Sequence, residues 1–161
     1  MISDTIEVKG IIWEDIVNYK KIGTTLMFPI CRGFKCGAEF CQNSSLAAAP
    51  SQTVLINSFM RKYIDNPLTE AIILQGLEPF DSLVDVYTVA AALSDFNVTD
   101  DLVIFTGYDK EEVSWRIEPL FNIPGHLIIK WGRYRPNQEP HYDPVLGIYL
   151  ASDNQYGEQL K

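Results

Sequence analysis

The sequence predicts an α/β fold built on a parallel sheet. Three observations carry that expectation. Residues 71–74 form a short, continuous apolar run, and residues 102–106 and 127–131 are mostly apolar segments of strand length, the pattern of strands covered on both faces. Segments with apolar residues at helical spacing lie between them, so strand and helix alternate along the chain. At 161 residues and 47% hydrophobic composition the chain is long enough for one core and short for two, so residues 1–161 are expected to form one domain.

Residues 5–12 alternate well enough for a strand, and residues 24–29, ending at Pro29, read as the first core strand. Residues 42–51 are rich in Ser, Ala and Pro and read as irregular chain. A helix is predicted over 52–65, with Val54, Leu55, Phe59, Met60 and Ile64 on one side and a stop at Asn66-Pro67. A second helix fits 81–95, capped by Asp81 or Ser82, with Leu83, Val86, Val89, Ala90 and Leu93 facing the sheet. A third fits 110–120. The tail from His141 to Leu150 reads as a last edge strand, followed by the polar turn 151–155. The alternation implies parallel strands joined by crossovers.

Composition narrows the function classes. A formal net charge of −8 argues against a nucleic-acid partner, because affinity for nucleic acid rests on Lys and Arg at the phosphates. No apolar run approaches the roughly 20 residues of a membrane span. The first residues lack a basic start followed by an apolar core, so no membrane role and a cytoplasmic location are expected.

All three cysteines fall within eleven residues, at Cys31, Cys36 and Cys41. On a helix, steps of five residues turn the second and third thiols about 140° and 280° from the first. On a strand they alternate faces. Only a loop wrapped around a central object brings them together, and Gly33 and Gly37 allow its corners. An odd count leaves a disulfide framework with one thiol over. A zinc site completed by His126 or His141 competes, as do ordinary buried cysteines. An iron–sulfur cluster suits the loop better, since three thiolates leave one iron open, and Arg32 and Lys35 offset the cluster's charge.

Other stretches carry further polar signals. Gln75-Gly76-Leu77-Glu78-Pro79 follows the apolar run 71–74, and Phe105-Thr106-Gly107-Tyr108 closes the run 102–106. Lys130 interrupts the apolar run 127–131 and requires a partner or a route to water. In parallel sheets ligands bind beyond the carboxyl ends of the strands, where each of these stretches falls.

Taken together the chain resembles the radical S-adenosylmethionine (SAM) family, whose signature is C-x3-C-x2-C after the first strand. In particular it resembles the small activating enzymes of anaerobic ribonucleotide reductase. The spacing here is C-x4-C-x4-C, and Leu77 stands where the family's G-G-E-P has its second glycine. Phe40 before Cys41, the Thr-Gly-Tyr stretch, Asp15-Ile16-Val17-Asn18 and Ala151-Ser152-Asp153-Asn154-Gln155 are similar to stretches of that subfamily, in its order. The resemblance implies an incomplete parallel β/α barrel of radical SAM type. It also implies a [4Fe-4S] cluster on Cys31, Cys36 and Cys41, and SAM held by Phe40, Gly76, Leu77, Glu78, Thr106 and Lys130. Phe40 would cover the adenine, Gly76 to Glu78 would grip the methionyl amine, and Lys130 would meet the carboxylate. The implied activity is reductive SAM cleavage to a 5'-deoxyadenosyl radical. The implied partners are a large glycyl-radical-type protein and an electron donor such as flavodoxin or ferredoxin.

Overall fold

The computed structural model describes residues 2–32 and 44–161. At its centre is a six-stranded sheet, and the four inner strands come from the segments whose apolar character is most continuous. They are β3 (Gly23–Phe28), β5 (Ala71–Gly76), β6 (Asp101–Phe105) and β7 (Leu127–Trp131), all mutually parallel. An antiparallel strand closes each side, β2 (Gly10–Asp15) beside β3 and β10 (Tyr156–Gln159) beside β7. The order is β10-β7-β6-β5-β3-β2, so the sheet is mixed where the alternation of elements led to the expectation of a parallel one.

Burial on both faces explains the uninterrupted apolar runs. Ile72 and Leu74, Leu102 and Ile104, and Leu127 and Ile129 pack into the larger core beneath the helices. Their alternating neighbours Ala71, Ile73, Val103 and Ile128 meet Tyr19, Leu146 and Leu150 on the other face. That second face is covered by irregular chain and by a hairpin of β8 (His141–Asp143) and β9 (Ile148–Leu150). Three helices cover the first face. In α2 (Ile56–Ile64), Ile56, Phe59, Met60 and Tyr63 are buried, and in α3 (Leu83–Asp95), Val86, Val89, Ala90 and Leu93 are, each set at one-face helical spacing. In α4 (Lys110–Ile117) the buried residues are Val113 and Ile117.

Several expected boundaries are corrected. Residues 5–12 form two strands: β1 (Thr5–Val8) pairs with β4 (Gln52–Leu55), and β2 begins at Gly10. The first four residues of the expected 52–65 helix are therefore β4. Antiparallel pairing with β1, distant in sequence, overrides a locally helical pattern there. The short helix α1 (Ser44–Ala48) lies in the segment expected to be irregular. Helix α3 starts at Leu83 after a 3-10 turn over Pro79–Asp81, and Ser82 at its cap position makes no side-chain cap bond. Helix α4 ends at Ile117, because Pro119 falls in a 3-10 turn over Glu118–Asn122 and carries no N–H for an α-helical bond. The tail 141–150 is a hairpin rather than one strand, and the edge strand is β10. No helix among the described residues is long and apolar enough to cross a membrane.

Candidate functional site

Parallel pairing of β3, β5, β6 and β7 puts the polar stretches that follow them along one edge of the sheet. The ladder between β3 and β5 continues beyond the strands. Leu77 N donates to Phe28 O at 3.1 Å and Glu78 N to Ile30 O at 2.9 Å, so the chain reaching Cys31 runs beside Gly76-Leu77-Glu78. Gly76 makes this approach possible. Its φ is +103°, and a Cβ there would lie 2.5 Å from Phe28 N. Cys31 is half-buried at the exit of β3, and the next residue is held by Arg32 N donating to Asp81 Oδ2 at 3.0 Å. Phe40, Cys36 and Cys41 lie outside the described residues.

Glu78 is 1% exposed, and its carboxylate ties the β5 edge to the β6 edge. Oε1 accepts from Phe80 N at 3.0 Å and from the Thr106 hydroxyl at 2.8 Å, and Oε2 accepts from Gly107 N at 2.8 Å. Thr106 Oγ1 in turn accepts from Tyr108 N at 3.0 Å. Two residues expected to bind SAM thus bind each other's loops, which preorganises the main chain around them.

Lys130 is 8% exposed, inside β7. Its ammonium donates to Gly132 O at 2.8 Å and to Thr106 O at 3.5 Å. These carbonyls help to offset the desolvation of a buried cation. By strand alternation Lys130, Phe105 and Gln75 face the side that carries Ile128, Val103 and Ile73, and Phe105 pairs in register with Lys130.

The turn Ser152-Asp153-Asn154-Gln155 joins the same edge. Asn154 Nδ2 donates to Arg133 O at 2.8 Å, and Gln155 Nε2 to Gly132 O at 3.4 Å. Gly132 has φ +98°, and a Cβ there would meet Asn154 O at 2.9 Å. The stretch read as a polar turn therefore packs on the end of β7 through side-chain bonds. The residue whose contacts were missed from sequence is Asp81. Asp81 Oδ1 accepts from the Tyr108 hydroxyl at 2.6 Å, whereas its position suggested only a helix cap. Nothing in the local sequence separates this role from a cap, because its partners Arg32 and Tyr108 lie 49 and 27 residues away.

The opposite edge of the sheet gathers other polar residues. Asp15 is buried and accepts from Val17 N, Asn18 N, Asn18 Nδ2 and the Thr25 hydroxyl. Burial alone would raise its pKa, but the hydrogen bonds from Asn18 and Thr25 hold it below the usual carboxylate value. Asp15, which opens the Asp15–Asn18 stretch, pairs opposite Gly23, at the amino end of β3 and away from Glu78. Asp101, at the amino end of β6, accepts from Tyr19, forms an ion pair with Lys21 at 2.8 Å and lies 3.0 Å from His126 Nδ1 in a hydrogen-bond contact. Its pKa is likewise lowered, because the bonds from Lys21, Tyr19 and His126 outweigh burial. His126, which precedes β7, is consequently drawn to the end of the sheet remote from Cys31, and His141 opens the hairpin on the second face.

At the carboxyl edge Lys130 places a buried cation beside the carbonyls of Gly132 and Thr106, and the positive-φ Gly76 lets β5 run against the main chain of Phe28. Among the described residues no three His, Cys, Asp or Glu side chains converge for a metal ion, and two of the three cysteines fall outside that set. Comparison of the chain with models of protein families, with curated proteins and with solved structures returned no match.

Proposed function

We propose that this chain is a radical SAM protein of the small activating-enzyme type, an incomplete β/α barrel with Cys31, Cys36 and Cys41 as ligands of a [4Fe-4S] cluster. The observation that carries this reading is the convergence of four separated stretches on one sheet edge. They are the approach to Cys31, Gly76 to Glu78, Thr106 to Tyr108, and Lys130 to Gly132 with the Ser152–Gln155 turn. Each follows or ends a parallel strand in the order the resemblance requires.

In this reading the chain's own residues bind and orient SAM. Main chain at Gly76 and Leu77 would meet the methionyl amine, and Lys130, whose ammonium is held by the carbonyls of Gly132 and Thr106, would attract the carboxylate. Glu78 acts through Thr106 and Gly107, keeping the two loops at fixed separation. The cluster when bound supplies one electron, delivered by a donor such as flavodoxin or ferredoxin, for cleavage of SAM to methionine and a 5'-deoxyadenosyl radical. The hydrogen donor is a glycine of a large partner protein.

Anaerobic reconstitution with iron and sulfide, followed by dithionite and SAM, should yield 5'-deoxyadenosine. A fully loaded cluster that gives none would defeat the enzymatic reading. A second reading, metal binding on the same scaffold without turnover, is favoured by the C-x4-C-x4-C spacing and by Leu77. Stoichiometric zinc without iron in the purified protein, lost on Cys36→Ala, is its expected result.

A further inference from the structure

Cys31 is bracketed by two long-range hydrogen bonds. On one side Ile30 O accepts from Glu78 N, and on the other Arg32 N donates to Asp81 Oδ2 at 3.0 Å. The second bond comes from a side chain rather than from a ladder. The Asp81 side chain is 0% exposed, and its other oxygen accepts from the Tyr108 hydroxyl at 2.6 Å. The guanidinium of Arg116 reaches that oxygen at 4.0 Å, donates to Phe80 O at 3.1 Å and lies 5.1 Å from the centre of the Tyr108 ring. Arg32 Nε is 3.9 Å from the same oxygen, but its side chain is largely exposed and water screens the pairing.

One carboxylate therefore joins the exit of β3, the turn after β5 and the turn after β6. The geometry points to Asp81 as a positioning residue: it fixes the main chain on the far side of Cys31, so that the first sulfur ligand is presented at a set place relative to Gly76–Glu78 and Thr106. This rests on the reading of Cys31 as a cluster ligand. The role is hydrogen bonding rather than charge. An asparagine would keep an acceptor for Arg32 N–H and turn its amide toward the Tyr108 oxygen, which can accept as well as donate.

The experiment compares wild type, Asp81→Ala and Asp81→Asn as full chains. Amide hydrogen exchange is measured on the metal-free protein, and the SAM-dependent change in the electron paramagnetic resonance signal on the reconstituted protein. Asp81→Ala should speed exchange at Arg32 about tenfold, the weight of one hydrogen bond. Amides of Ile73 and Val103 should stay at wild-type rates. The apparent SAM dissociation constant should rise by a similar factor, and Asp81→Asn should restore both within about threefold. Unchanged exchange at Arg32, acceleration of the whole sheet together, or an Asn variant as impaired as Ala would each overturn the proposal. A wild-type protein that takes up no iron defeats the proposed function instead, and exchange at Arg32 still decides whether Asp81 holds this segment.

Discussion

Glu78→Gln tests the strongest link between the strand-end loops. Among the described residues the carboxylate accepts three hydrogen bonds, two of them from backbone N–H groups, at 1% exposure. Glutamine offers one acceptor oxygen. If that oxygen stays with Phe80 and Thr106, the amide nitrogen faces the Gly107 N–H. If it turns to Gly107, Phe80 N–H loses its acceptor. In both orientations one backbone donor is left unpaired, at about 1–3 kcal/mol, and the surviving bonds lose their charge assistance. Relief from burying a charge offsets part of this, leaving a net loss of about 2 kcal/mol. For a chain of this length that is a fall of about 4–8 °C in Tm. Thermal and urea unfolding of the metal-free protein measure it, and a double-mutant cycle with Thr106→Val should show coupling of about 1 kcal/mol. A Glu78→Gln protein melting within about 1 °C of wild type, or additivity with Thr106→Val, would refute the claim that this carboxylate holds the two loops together.

Other outcomes follow from the same structure. Gly76→Ala should lose about 3 kcal/mol, because φ +103° strains an L-residue and the new Cβ would press on backbone of Phe28 and Met27. Gly10→Ala, whose Cβ would meet only the flexible end of Met27, should cost far less, and urea midpoints separate the two. Asp101 has a folded pKa below its ordinary 3.8, so its contribution to stability is fully present above that value and is lost as pH falls through the folded one. The stability gap between wild type and Asp101→Asn, measured by urea unfolding across pH, should be widest near neutrality and narrow on acidification below about pH 4. A gap independent of pH would contradict the carboxylate's role.

What could be read from sequence was whatever local pattern and burial decide together. The runs that became β5, β6 and β7 were legible because both faces are covered, which favours apolar side chains on both faces of the strand. Helix α3 was legible because one face meets the sheet. Gly76, Glu78, Thr106 and Lys130 stood out as polar or permissive residues at strand ends, and the structure brings all four to one edge.

Pairings between distant segments left no such local trace. Residues 52–55 look helical beside Phe59 and Met60, and only β1, some forty-seven residues earlier in register, makes them a strand. Asp81 looked like a helix cap because it precedes α3, and only the fold delivers the Tyr108 hydroxyl and the Arg32 amide to its two oxygens. Sequence alone determined which segments must be buried, and so the four inner strands and most of the helices between them, but not β4, the β8–β9 hairpin or β10. Tertiary structure alone decided which polar groups face one another, because a hydrogen bond between residues 32 and 81 depends on the relative placement of whole elements rather than on the periodicity within either.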